Sequence, residues 1–190
     1  MAVPPERISD RISVFVADEQ ANHPVDATRW LGLAEQVLDA QNLRGECELS
    51  LLFVDEQTIA DLNERFRDVA GPTDVLSFPM DDDLPEGGRM PDNGGPSPGW
   101  TPPATGDLPT LLGDVVICPA VAFRNAPEHA GTYEDELALL VVHGILHLLG
   151  MVHEEDDEAE VMEARERELL ARFYRPSGSQ EAAPAAEPEA

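Results

Sequence analysis

The sequence predicts an α+β fold, a roughly four-stranded mixed sheet covered on at least one face by several helices. Three observations predict it. Short runs of strand character recur, either alternating apolar and polar residues or continuously apolar and bounded by turn residues. Segments with apolar residues three and four apart stand between and after them. The resulting order is strand, helix, strand, helix, strand, strand and then helices.

Residues 11–18 (RISVFVAD) alternate, with Ile12, Val14 and Val16 on one face, and predict the first strand. Residues 27–41 place Trp30, Leu33, Ala34, Val37 and Leu38 at helical spacing. Residues 46–54 (ECELSLLFV) predict a second strand, and residues 56–67 a second helix through Ile59, Leu62 and Phe66. Residues 74–79 (DVLSFP) are a short strand ended by proline. The 81–110 stretch, rich in Asp, Gly and Pro, lacks apolar periodicity and reads as a long flexible loop inserted between strands. Residues 111–118 (LLGDVVIC) are the next strand, and Pro119 opens a short helix or turn running to about His129. The most apolar helix spans 133–149, with Thr132 and Asp135 resembling a capping box and Gly150 as its stop. Residues 154–174 form a charged helix, acidic first and arginine-bearing last, an order that suits the helix dipole. Residues 1–175 therefore read as one domain, and 176–190 as a disordered acidic tail.

Composition limits the function classes. The formal net charge is −26, and every one of the 12 basic residues is arginine. A broad basic face for coating nucleic acid, or for binding anionic membranes, is excluded. A few arginines and a metal inside an acidic shell are not. No cationic leader with an apolar core opens the chain and no run approaches a membrane span, so a cytoplasmic protein is expected. Cys47 and Cys118 each lie in an apolar run and read as buried free thiols in a reducing compartment.

Three of the five histidines fall within HGILHLLGMVH, from His143 to His153. His143 and His147 are one helical turn apart on one face, so they can supply two neighbouring ligands to one ion. Gly150 lets the chain reverse so that His153 can return to the same point. Three neutral imidazoles suit zinc, with nickel, copper and iron as chemical competitors, and leave the fourth position open as catalytic sites do. His23 and His129 lie beside Pro24 and Pro127 and read as surface residues. The spacing H-x-x-x-H-x-x-G-x-x-H is also that of the metzincin proteases, which carry a general-base glutamate directly after the first histidine. Gly144 stands there in this chain, so peptide hydrolysis ranks second.

The same window resembles the zinc motif of the YbeY family of bacterial endoribonucleases, or rRNA maturation factors, at H-G, L-H-L, G and the final H. Residues 62–79, LNERFRDVAGPTDVLSFP, resemble the family's L-N-x-x-Y-R and P-T-D-V-L-S-F-P blocks, and LGDVVI at 112–117 its strand entry. The resemblance implies a zinc-dependent, single-strand-specific endoribonuclease acting in 16S rRNA 3′-end maturation and ribosome quality control. It carries over His143, His147 and His153 as ligands of one Zn2+ and Arg67 as the functional arginine. Implied partners are the rRNA of the small ribosomal subunit, and a ribosomal protein or ribosome-associated GTPase. Two departures stand out: Met151-Val152 replaces the family's Tyr-Asp, and the 81–110 loop is longer than usual. A third reading is a non-catalytic ribosome-assembly factor whose zinc staples helix to loop, with Glu154, Glu155 or Asp156 as fourth ligand. Asp74 reads as a cap or turn residue, and Arg65 as a structural neighbour of Arg67.

Overall fold

The computed structural model describes residues 12–41, 43, 46–80, 109–151 and 156–174. The expectations for residues 81–108, for the 176–190 tail and for His153 lie outside the described residues. The elements are β1 (Ile12–Asp18), α1 (Ala27–Asp39), β2 (Cys47–Phe53), α2 (Glu56–Arg67), β3 (Val75–Pro79), β4 (Thr110–Ile117), α3 (Pro119–Asn125), α4 (Tyr133–Leu148) and α5 (Asp156–Phe173). All but α3 match an expected segment to within one or two residues. Thr110 belongs to β4 and not to the inserted loop, and the stretch toward His129 is a seven-residue helix followed by turns.

Short polar side chains set the helix starts. Asp26 and Asp55 accept from the amides of Arg29 (3.1 Å) and Thr58 (2.8 Å), each satisfying a donor the helix leaves unpaired. The bond from the Thr58 amide holds the Asp55 carboxyl below its ordinary pKa. Thr132 accepts from the Asp135 amide at 3.1 Å, but its hydroxyl donates back to the Asp135 carboxylate at 2.6 Å. The expected box therefore closes side chain to side chain.

The sheet order is β1-β2-β4-β3. β1, β2 and β4 are parallel, and β3 joins antiparallel at the edge, which makes the sheet mixed. Strand alternation separates two cores. Leu49, Leu51, Phe53, Val115 and Ile117 face α1, α4 and α5, together with Trp30, Val37, Leu137, Val141, Ile145, Met162 and Leu169. On the opposite face Leu76 and Val116 pack with Ile59 of α2 and Val121 of α3. α4 is buried on nearly all sides, which is why its sequence is apolar almost throughout. Farther along that second face, Phe15, Glu48, Met80, Leu111 and Asp114 line an open cavity of about 410 Å³. Cys47 and Cys118 are buried thiols outside any disulfide, as expected, with pKa values raised by desolvation. Among the described residues no helix is long and apolar enough to cross a membrane.

Candidate metal centre

The C-terminal two turns of α4 carry both described histidines of the cluster. Their Nε2 atoms stand 3.0 Å apart and their rings meet edge to face, with centroids 4.5 Å apart. Two imidazole ligands of a tetrahedral ion, each bonded at roughly 2.0–2.1 Å, would hold their nitrogens about 3.3 Å apart. The pair needs only a few tenths of an ångström of adjustment to share one ion, so the donor atoms fit a borderline divalent metal such as zinc.

The chain then turns as the glycine implies. Gly150 takes φ +86°, its N–H bonds the His147 carbonyl at 2.9 Å, and the Met151 N–H bonds the Leu146 carbonyl at 3.0 Å. These two bonds are a Schellman stop, and half-buried Met151 packs on the main core as the residue after such a stop commonly does. His153 follows two residues later in the sequence. Among the described residues, which do not include His153, no group of three ligating side chains comes together.

His143 is also held from behind. Its Nδ1 lies 2.7 Å from Oε1 of Glu166 on α5, and the Glu166 residue is only 7% exposed. Sequence reasoning did not single out Glu166, although a signal existed. It falls four residues after Met162 and three before Leu169, on the core-facing stripe of α5, where a carboxylate needs a buried partner.

Gly144 occupies the position of a metzincin base and has a packing role. A Cβ there would lie 2.5 Å from Val115 Cγ1 of β4 and 3.3 Å from Ser77 Oγ of β3. Its carbonyl accepts a hydrogen bond from the Ser77 hydroxyl at 3.1 Å. A side chain at 144 would run into Val115 and Ser77 of the sheet.

Ser77 belongs to an edge strand. The bonds from Cys118 N to Asp74 O (2.8 Å) and from Met80 N to Leu112 O (3.1 Å) turn the even-numbered residues toward β4. The backbones of Val75, Ser77 and Pro79 therefore face outward, and proline is tolerated there because no ladder bond is lost. Asp74 accepts from the Val75 N–H at 2.9 Å and from Asn125 Nδ2 at 3.2 Å, the turn role expected of it. At the edge among the described residues this leaves the Ser77 N–H and the carbonyls of Val75, Ser77 and Pro79.

Arg67 is the last residue of α2, exposed, and next to Phe66, whose ring packs edge to face on Phe78 at 5.2 Å. Phe78 and Ser77 point to opposite faces of the sheet. α2 thus reaches β3 from one face and α4 from the other, so Arg67 and the histidine pair flank the same edge strand. Asn63, buried in α2, donates to the Gly71 carbonyl at 2.9 Å and anchors the loop that leads from Arg67 to β3. Arg65 stacks over the neighbouring Phe66 ring. His23 is half-buried between Phe123 and Tyr133, and the more exposed His129 contacts buried Glu136.

A family model described as Endoribonuclease YbeY matches residues 15–174. Endoribonuclease YbeY of Acidothermus cellulolyticus is 48% identical over 163 residues, covering 85% of this chain and 92% of that protein. Its namesake from Thermobifida fusca is 44% identical over 164 residues, covering 86% and 96%. That of Frankia alni is 43% identical over 162 residues, covering 85% and 83%. A solution structure from Thermotoga maritima aligns with a TM-score of 0.50 at 24% identity, over 93% of this chain and 99% of that one, a likeness of fold. The matches span both flanks of β3 and the histidine helix, and the chain belongs to the endoribonuclease YbeY family.

Proposed function

We propose that this chain is a zinc-dependent, single-strand-specific endoribonuclease acting in 16S rRNA 3′-end maturation and ribosome quality control. The observation that carries the reading is the 3.0 Å approach of His143 and His147 Nε2 beside an edge strand flanked on its other face by Arg67. His143, His147 and His153 hold the ion. Zinc, when bound, supplies Lewis acidity that polarises a phosphoryl oxygen and lowers the pKa of water toward about 7.

The protein groups perform the remaining work. A single strand laid across β3 brings one phosphodiester to the histidine side while the Arg67 guanidinium pairs a non-bridging oxygen. The Ser77 N–H at the edge donates to the sugar–phosphate backbone. A duplex is too wide to lie along one strand edge, which favours single-stranded substrate. With a net charge of −26, affinity for naked RNA is weak and salt-sensitive, and contacts with the small subunit or a ribosomal protein or GTPase supply the rest. The peptidase reading loses further ground, since a glutamate at 144 would point into the sheet.

The test measures zinc content together with cleavage of an RNA containing the 16S 3′ region, and of casein, by wild type, His147→Ala and Arg67→Ala. The expected result is RNA cleavage by wild type alone, with zinc lost in His147→Ala and kept in Arg67→Ala. Casein cleavage, or fully zinc-loaded wild type that leaves RNA intact, overturns the proposal.

A further inference from the structure

Glu166 is a buried carboxylate with an unusual neighbour. It sits on the inward stripe of α5 between Met162 and Leu169, each 1% exposed, and its Oε1 is 2.7 Å from His143 Nδ1. An ionised carboxylate can only accept, so Nδ1 is the donor and carries the proton. That proton placement leaves the His143 Nε2 lone pair directed at His147 Nε2, 3.0 Å away. Without the carboxylate, a neutral imidazole places its proton on either nitrogen, and the Nε2–H form cannot ligate a metal through Nε2.

We propose that Glu166 is the positioning residue of the metal centre. It fixes His143 in the Nδ1–H tautomer and fixes the ring plane. The proposal rests on the reading of His143 as a ligand, but the tautomer is a property of the metal-free protein and can be measured separately. Carboxylate partners of this kind govern metal affinity as well as geometry. Helix α5 thereby becomes part of the site, although it supplies no ligand of its own among the described residues. The buried cluster of α4 and α5 explains the placement: a carboxylate on a core-facing stripe is tolerated because its charge is met by a ring N–H.

The experiment has two arms on the full chain. In the first, metal-free wild type with 15N-labelled histidine is examined by long-range 1H–15N correlation at a pH where imidazole is neutral, His143 being assigned through His143→Gln. The proton is expected on Nδ1; an Nε2–H form for His143 overturns the proposal whether or not the protein binds zinc. In the second, zinc Kd is measured by competition with a chromophoric chelator for wild type, Glu166→Gln, Glu166→Asp and the exposed control Glu163→Gln. Glu166→Gln is expected to weaken zinc about 10–100-fold, Glu166→Asp less, and Glu163→Gln not at all, with metal-free unfolding midpoints alike. An unchanged Kd in Glu166→Gln overturns the proposal and leaves the ligand reading standing. Wild type that fails to bind zinc overturns the ligand reading, and the tautomer then decides the role of Glu166. If Glu166→Gln does not fold, the wild-type tautomer and the Glu166→Asp affinity decide.

Discussion

Replacing Gly144 by alanine sets two effects of opposite sign against each other. In an exposed helix interior the change gains about 1 kcal/mol from propensity and chain entropy. Here the added Cβ would stand 2.5 Å from Val115 Cγ1, more than an ångström inside the separation at which carbon atoms attract. Val115 is β-branched, in a strand paired on both sides, and cannot swing clear by a simple rotamer change. Overpacking of this kind costs about 1–3 kcal/mol, and the depth of the overlap puts it near the upper end. The net expectation is destabilisation by about 1–2 kcal/mol, read from urea unfolding with an unchanged m-value. Val115→Ala removes the methyls in the way, so the double variant should be more stable than the sum of the singles by about 2 kcal/mol. Stabilisation of Gly144→Ala by about 1 kcal/mol, or simple additivity, would refute the close approach of α4 to β4. Gly144→Glu should then show no gain of casein cleavage.

Further consequences follow from the same packing. Gly113 has φ +131° and a Cβ there would run into the Phe78 carbonyl oxygen of β3, so Gly113→Ala should cost about 3 kcal/mol or more in urea unfolding. The two tyrosines of the chain, Tyr133 and Tyr174, both have phenols raised by desolvation, Tyr133 to about 12, with Asp135 adding to the rise at Tyr174. Because the folded values exceed the unfolded value near 10, this stability is complete below pH 10 and is lost as pH rises through the folded values. Phenolate absorbance should therefore stay low above pH 10 until the chain unfolds, and early titration of both rings would contradict their burial. Cys47 and Cys118, buried with raised pKa values, should react with a chromogenic disulfide reagent only at the rate of unfolding. Thr132→Ala should lose about 1 kcal/mol through the N-cap of α4, visible as a lowered Tm.

The fold was legible wherever a local pattern determined it. The alternation of Ile12, Val14 and Val16, the spacing of Trp30, Leu33 and Val37, and the stop at Gly150 each report a period or a backbone requirement confined to a few neighbours. The pairing order was not legible, because β4 joins β2 across more than fifty residues and the position of β3 at the edge depends on that joining. The site divides the same way. His143 and His147 announce themselves by an interval of four, and the sequence resemblance points to Arg67. Glu166 is twenty-three residues from its partner, and its meaning appears only when α5 packs on α4. Gly144 was noticed as a missing base; its reason is the proximity of Val115 and Ser77, which no spacing within α4 reveals. Pro79 could be read as the end of a strand, whereas the outward-facing backbone of Ser77 required the register with β4.

The most direct measurement of the central claim is zinc K-edge absorption spectroscopy of the protein loaded with one equivalent of Zn2+, beside a crystal structure of the same preparation. The account predicts three imidazole nitrogens, from His143, His147 and His153, at about 2.0–2.1 Å, with the fourth position taken by a non-protein oxygen. Rings that point apart, or a carboxylate of this chain in the fourth position, would contradict it.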